Sequence, residues 1–241
     1  MKALLLCAGC GTRLHPITKN KPKCLVEINR KPILDFWLKK LIEMNIKDVL
    51  INTHYLAEKV EKYVRELDYP LNINLVYEQK LLGTGGTLKA NRHFFKNEAI
   101  LLVHADNLSF FDSKKFVEKF YNRKKNIVIT MMTFETESPE NCGVIEFSKD
   151  GEIKNFYEKV NNPPTKIANG AVYIISNKIF KFLEAIDKDY IDFSNDVIPF
   201  YLNKINTFKN EKFHIDIGTI ENLKKARIRF KNDYKYLLSN N

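Results

Sequence analysis

The chain has 241 residues, enough for one substantial core with a small appended lobe, and its 44% hydrophobic content is that of an ordinary globular protein. No apolar run approaches the roughly 20 residues of a membrane helix, so a membrane role is not expected and cytoplasmic residence is the default expectation. The formal charge of +10 is spread along the whole chain, with no zinc-finger spacing and no RNP-type aromatic motif beside it, which argues against a nucleic-acid binder and for a lysine-rich solvated surface with some charge gathered at a phosphate site.

Residues 2–7 form a short apolar run that Gly9, Cys10 and Gly11 cut off too early for a signal peptide, so it predicts a buried first strand. Residues 32–44 carry Ile33, Leu34, Trp37, Leu38, Leu41 and Met44 at helical spacing. A strand follows at 48–52, a helix at 56–67 and a strand at 73–77. The Gly-rich stretch from Gly83 to Gly86 opens a helix running to about Phe95. A strand at 99–104 ends in Ala105-Asp106-Asn107, followed by a helix at 113–121 and a strand at 127–133. Beyond residue 135 a hairpin is expected from 143–147 and 153–157 around Asp150-Gly151. A strand at 171–175, helices at 178–185 and 195–202, and a last helix from about Ile220 complete the pattern; that helix sets Leu223, Arg227, Phe230, Tyr234 and Leu237 on one face.

Strand and helix alternating in this way predict an α/β fold with a Rossmann-like, mixed and mostly parallel sheet flanked by helices, and a small β lobe appended. The whole is expected to be one domain, with a first half of about 1–134 and a second of about 135–241. Ligands of such sheets bind at the carboxyl ends of the strands. The first Gly-rich loop, the second one and Asp106 all fall at such ends, which places three features at one site. The four cysteines include Cys7-x-x-Cys10, but no second Cys or His pair completes a zinc site, so reduced structural thiols are expected.

The first Gly-rich loop matches neither familiar nucleotide motif. A dinucleotide fingerprint needs Gly or Ala where Leu14 stands, and the Gly-Lys-Ser/Thr of a Walker A loop is absent. The stretch Gly9 through Leu25, G-C-G-T-R-L-H-P-I-T-K-N-K-P-K-C-L, closely resembles the signature of the sugar-phosphate nucleotidyltransferase family. The likeness continues through Glu78-Gln79, Leu82-Gly83-Thr84-Gly85-Gly86-Thr87, His104-Ala105-Asp106-Asn107, Glu158-Lys159, Asn169-Gly170 and Asp216-Ile217-Gly218-Thr219. Two departures stand out: His104-Ala105 where the family has a glycine before its metal aspartate, and Val160 where it has a proline after the lysine.

The resemblance implies transfer of a nucleoside monophosphate from a nucleoside triphosphate to a phosphorylated acceptor. Arg13, Lys23, Asp106 and Asp216 would be catalytic, and Asp106 and Asp216 would bind Mg2+, one ion or two. Ala8, Gly9, Gly11, Thr12, Arg13, Gln79, Gly83, Thr84, Gly85 and Asp106 would bind the nucleotide. The acceptor would meet Gly143, Glu158, Lys159, Asn169 and Asp192, with the hairpin as the acceptor-side lobe. As bare residues, the two acids read equally as helix caps, and Arg13 and Lys23 as surface ion-pair partners. In length and layout the chain is similar to small phosphocholine cytidylyltransferases and capsular phosphoglutamine cytidylyltransferases. The expectation is therefore CMP transfer from CTP to a small phosphate in bacterial surface-polysaccharide decoration. A UTP- or dTTP-dependent sugar-1-phosphate enzyme is the alternative, and a non-catalytic nucleotide sensor the reading from another class. A homodimer is left open.

Overall fold

The computed structural model describes residues 1–238, with side chains described through residue 230. Its inner strands are short apolar runs because both faces are covered. β1 (Lys2–Leu6), β4 (Asp48–Thr53) and β6 (Ile100–His104) run side by side in parallel, and their interior positions are buried. Between β1 and β4 lie a small ribbon, β2 (Glu27–Ile28) with β3 (Lys31–Pro32), and α1 (Ile33–Glu43). Next come α2 (Ala57–Arg65), β5 (Asn72–Tyr77), α3 (Thr84–Ala90) and α4 (Arg92–Phe95). After β6 the chain forms β7 (Asn107–Phe110), α5 (Ser113–Tyr121), β8 (Ile129–Glu135), the hairpin β9 (Gly143–Phe147) and β10 (Ile153–Glu158), and the long β11 (Ile167–Ile175). It ends with α6 (Ile179–Ala185), α7 (Ile198–Tyr201), β12 (Ile205–Lys209), β13 (Phe213–Asp216) and α8 (Ile220–Leu238).

The main sheet has the order β5-β4-β1-β6-β11-β8-β12, with β11 alone running against the rest, and the β9–β10 hairpin joins it where Ala168 meets Val144. Alternation along β1 sends Ala3 and Leu5 to one face, against Trp37, Leu38 and Leu41 of α1 and Phe116 and Phe120 of α5. Leu4 faces the other way, against Leu88, Phe95, Ile179, Leu183 and Phe193. A third core under α8 gathers Leu14, Val26, Ile28, Leu108, Ile217, Leu223 and Phe230. It fixes the first loop against the end of the chain. Arg227 lies on that same face, where its guanidinium donates to Glu27 O; the side chains of Tyr234 and Leu237 lie outside the described ones.

Two helices depart from the expected pattern. The helix from Gly83 to Phe95 breaks at Asn91 into α3 and α4. In place of the helix at 195–202 stand a π-helical turn, Phe193–Val197, the four residues of α7 and a 3-10 turn, Leu202–Lys204. Pro199 has no N–H to offer the carbonyl of Asn195, so a regular ladder cannot cross it. No helix among the described residues is long and apolar enough to cross a membrane.

Candidate active site

The loop leaving β1 turns at Gly11, whose φ of +65° suits glycine, and a Cβ there would stand 3.1 Å from Thr18 Cγ2 and 3.2 Å from Lys23 Cβ. Thr18 Oγ1 donates to Gly11 O at 2.7 Å, folding the following segment back over the loop and lodging Lys23 beside it. Lys23 opens a 3-10 turn and is buried, unlike a surface lysine. Ala8 is buried in the loop floor, Gly9 has open space around its Cα, and Thr12 and Arg13 are exposed.

Asp106 and Asp216 meet because β7 pairs antiparallel with β13, register Asp216 to Asn107, and Ile217 N donates to Asp106 O at 3.0 Å. The Lys23 ammonium sits between them, paired with the Asp106 carboxylate and 3.2 Å from Asp216 Oδ1. Arg13 Nη2 reaches Asp216 Oδ2 only at 3.9 Å, its side chain 66% exposed and free to turn to a ligand. Gly218 keeps this corner open: a Cβ would stand 2.9 Å from both Asp216 oxygens and 3.0 Å from Arg13 Nη2. Two carboxylates converging on one cation suit a hard divalent ion such as Mg2+, which is held by one or two carboxylates plus phosphate oxygens. No group of three or more His, Cys, Asp or Glu side chains that could hold a metal occurs among the described residues.

Burial disfavours both charged forms here, yet each partner's charge wins. Asp106 stays below its usual value of 3.8, held down chiefly by Lys23, and Lys23 stays above 10.5, held up by Asp106 and Asp216. A carboxylate with a depressed folded pKa stabilises above its unfolded value and loses that contribution as pH falls through the folded one. A lysine with a raised pKa stabilises below 10.5 and loses it as pH rises through the folded value. The stability difference between wild type and Asp106→Asn is therefore expected to be flat from about pH 5 to about pH 10 and to shrink outside that window, checked by urea midpoints across pH.

Asp106 and the start of the loop open into a cleft lined by Leu6, Ala8, Gly9, Lys23, Asn52, Glu78, Leu81, Gly83, Thr84, His104, Asp106 and Tyr190, among others, while Arg13 and Asp216 stand outside that lining. A polar network ties its floor together. Cys7 N donates to Asn52 Oδ1 at 2.7 Å, Asn52 Nδ2 donates to Glu78 Oε1 at 2.9 Å, and Leu82 N donates to Glu78 Oε2 at 3.2 Å. Sequence reasoning missed Asn52, although a polar residue closing a buried apolar strand is the signal that finds it. It also missed Leu81 and Tyr190. His104 lines the cleft with Nε2 buried and unpaired, while burial pushes His214 down to about 4. Cys7 and Cys24 are buried free thiols.

Several expected ligands have other positions. Gln79 is exposed and outside the lining of the cleft. The N–H groups of Gly85 and Gly86 both point to Ile191 O, at 2.8 and 3.1 Å, so they hold a neighbouring segment rather than a base. Thr84 lines the cleft, but its hydroxyl accepts from Phe193 N at 2.7 Å. Asp192 caps the π-helical turn by accepting from Asn195 N at 2.9 Å.

On the acceptor side, Gly143 lies opposite Glu158 in the β9–β10 hairpin, and Glu158 pairs with exposed Lys159 at 3.4 Å. Burial raises the Cys142 thiol, a Thr136 hydrogen bond opposes this, and the charges of Asp216 and Glu158 add to the rise. Asn169 sits at the bulge of β11, where it donates to Tyr173 OH at 2.6 Å and accepts from Ala171 N at 2.9 Å. Gly143→Ala would place a Cβ 2.5 Å from both Glu158 Oε2 and Phe156 Cζ. We expect it to cost about 1–3 kcal/mol, read as a lower urea midpoint with an unchanged slope.

A family model described as "Nucleotidyl transferase" matches residues 2–232. The chain is 33% identical over 186 residues to the bifunctional protein GlmU of Methanococcus maripaludis, covering 76% of this chain but only 42% of that one. It is 28% identical over 229 residues to the D-glycero-alpha-D-manno-heptose 1-phosphate guanylyltransferase of Aneurinibacillus thermoaerophilus, covering 94% and 97%. A Bacillus anthracis structure assigned as a glucose-1-phosphate thymidylyltransferase superposes with a TM-score of 0.87 at 23% identity, covering 95% and 94%, which is a likeness of fold.

Proposed function

This chain belongs to the nucleotidyl transferase family, and we propose that it transfers a nucleoside monophosphate from a nucleoside triphosphate to the phosphate of a sugar 1-phosphate, releasing pyrophosphate. The observation that carries the reading is the ion-paired cluster of Lys23, Asp106, Asp216 and Arg13, of which Lys23 and Asp106 line the cleft together with Gly9. A phosphate monoester has a second pKa of about 6 and is largely a dianion at neutral pH, so its attack on the α-phosphorus requires no general base. What it requires is alignment and neutralisation of charge. Lys23 supplies a buried cation for the α-phosphate, and Arg13 a fork of donors for the outgoing β- and γ-phosphates. Asp106 and Asp216 would hold a divalent ion such as Mg2+, which would supply neutralisation of negative charge at the phosphates.

For the donor we place GTP first, because the relative spanning nearly the full chain is named as a guanylyltransferase. The expectation of CTP rested on a likeness of length and layout to small cytidylyltransferases, whereas these relatives are named for guanylyl transfer. The acceptor shifts with it, from phosphocholine or phosphoglutamine to a sugar 1-phosphate, since the relatives' names carry sugar phosphates. The test is pyrophosphate release with Mg2+, crossing GTP, dTTP, UTP, CTP and ATP against mannose, heptose and glucose 1-phosphates, phosphocholine and phosphoglutamine. Release with one nucleotide and a sugar 1-phosphate supports the proposal. Release only with CTP and a non-sugar phosphate would restore the first expectation. Nucleotide binding without release in any pair would favour a sensor.

A further inference from the structure

The cleft has an apolar wall that no step above uses. Tyr190 and Leu81 both line it, yet they are 54% and 40% exposed, and Tyr190 makes no hydrogen bond to the described residues. An exposed tyrosine on a loop is ordinarily mobile, but this one sits on a segment tied to the second Gly-rich loop. Ile191 N donates to Leu82 O at 2.9 Å, Ile191 O accepts from Gly85 and Gly86, and Phe193 N donates to Thr84 Oγ1. The glycines exist for this contact: a Cβ on Gly83 would stand 2.5 Å from Ile191 O, and one on Gly85 2.8 Å from Ile191 Cγ2. The loop thus fixes the backbone directly after Tyr190 and leaves its ring at the cleft wall.

We propose that Tyr190, with Leu81 beside it, is the surface on which the donor's nucleobase stacks; this deepens the function proposed above and rests on it. Position across the sheet supports the assignment. Leu81 follows β5, the phosphate loop follows β1 two strands away, Asp106 follows β6, and Asn169 lies on β11 beyond that. Strands are about 4.8 Å apart, so the ends of β5 and β1 stand roughly 10 Å apart, room for a ribose between a base beside Leu81 and the α-phosphate. The acceptor-side residues lie in the opposite direction across the sheet. A ring stack is tolerant of base identity because every base offers a π face. Tyr190 therefore supplies affinity for nucleotides as a class, and discrimination among them falls to polar groups around it.

The test is calorimetric binding of GTP, CTP, UTP, dTTP and ATP, each with Mg2+, and of inorganic triphosphate as a base-free control. Tyr190→Ala is expected to weaken the bound nucleotide about 5- to 150-fold, the range for losing one base–aromatic stack, while triphosphate binding stays unchanged. Tyr190→Phe keeps the ring and is expected to bind as wild type. In turnover, Tyr190→Ala is expected to raise the nucleotide KM with kcat retained, as for a contact made equally in ground and transition states. Unchanged nucleotide affinity in Tyr190→Ala, equal loss of triphosphate binding, or a rise confined to the acceptor KM would each overturn the stack and leave the proposed reaction standing. If the wild-type protein binds triphosphate but no nucleotide, the functional reading fails and the stack fails with it.

Discussion

Asp106→Asn is expected to lower turnover by about 10²–10³-fold, the scale on which removing one group aimed at transition-state charge acts. The substitution keeps the size of the side chain and the backbone carbonyl to which Ile217 N donates, so the β7–β13 ribbon is retained. What it removes is the negative charge that a divalent ion needs, together with the stronger of the two ion pairs of Lys23. Pyrophosphate release at saturating Mg2+ measures the loss, and a thermal melt on the same sample verifies the fold. Turnover within a few-fold of wild type, with the melt unchanged, would remove Asp106 from the chemistry.

Lys23→Ala is expected to cost turnover on the same scale, because the buried ammonium is the cation the α-phosphate would meet. Its consequence without substrate runs the other way for metal. Lys23 neutralises Asp106 and Asp216 in the free protein, and its loss leaves two carboxylates facing each other. Tighter binding of Mn2+ by the free variant, followed by electron paramagnetic resonance, is the expected signature. Stability should fall by less than the ~3–5 kcal/mol of a fully buried pair broken on one side, since Asp216 is 46% exposed and its charge is screened. Wild-type turnover with unaltered Mn2+ affinity would show that the ammonium is only a structural counter-ion.

How much of this was legible in the sequence differs from residue to residue. The phosphate loop was legible because its constraints are local: the positive φ of Gly11 and the close approach of Thr18 and Lys23 act within a dozen residues. The central strands were legible because burial on both faces writes a continuous apolar run. Tyr190 was not, because nothing next to it in the chain marks it; its place depends on Ile191 meeting the glycines of a loop from the other half of the protein. Gln79, expected at the nucleotide, is exposed and outside the cleft lining, while its neighbour Glu78 is buried; a polar residue after a strand carries no local mark of which way it faces.

Periodicity determined the α/β class and the sequence of most strands and helices, and the family resemblance singled out Arg13, Lys23, Asp106 and Asp216 as the expected catalytic set. Only the tertiary structure decided that Asp216 stands beside Asp106, because β7 and β13 are four residues each and pair across the chain, too short to show in a pattern. The tertiary structure likewise engaged the N–H groups of Gly85 and Gly86 with Ile191 O and made Tyr190 part of the cleft. Local rules act through spacing along one segment, whereas a cleft is made where distant segments meet, and no spacing in the sequence encodes that meeting.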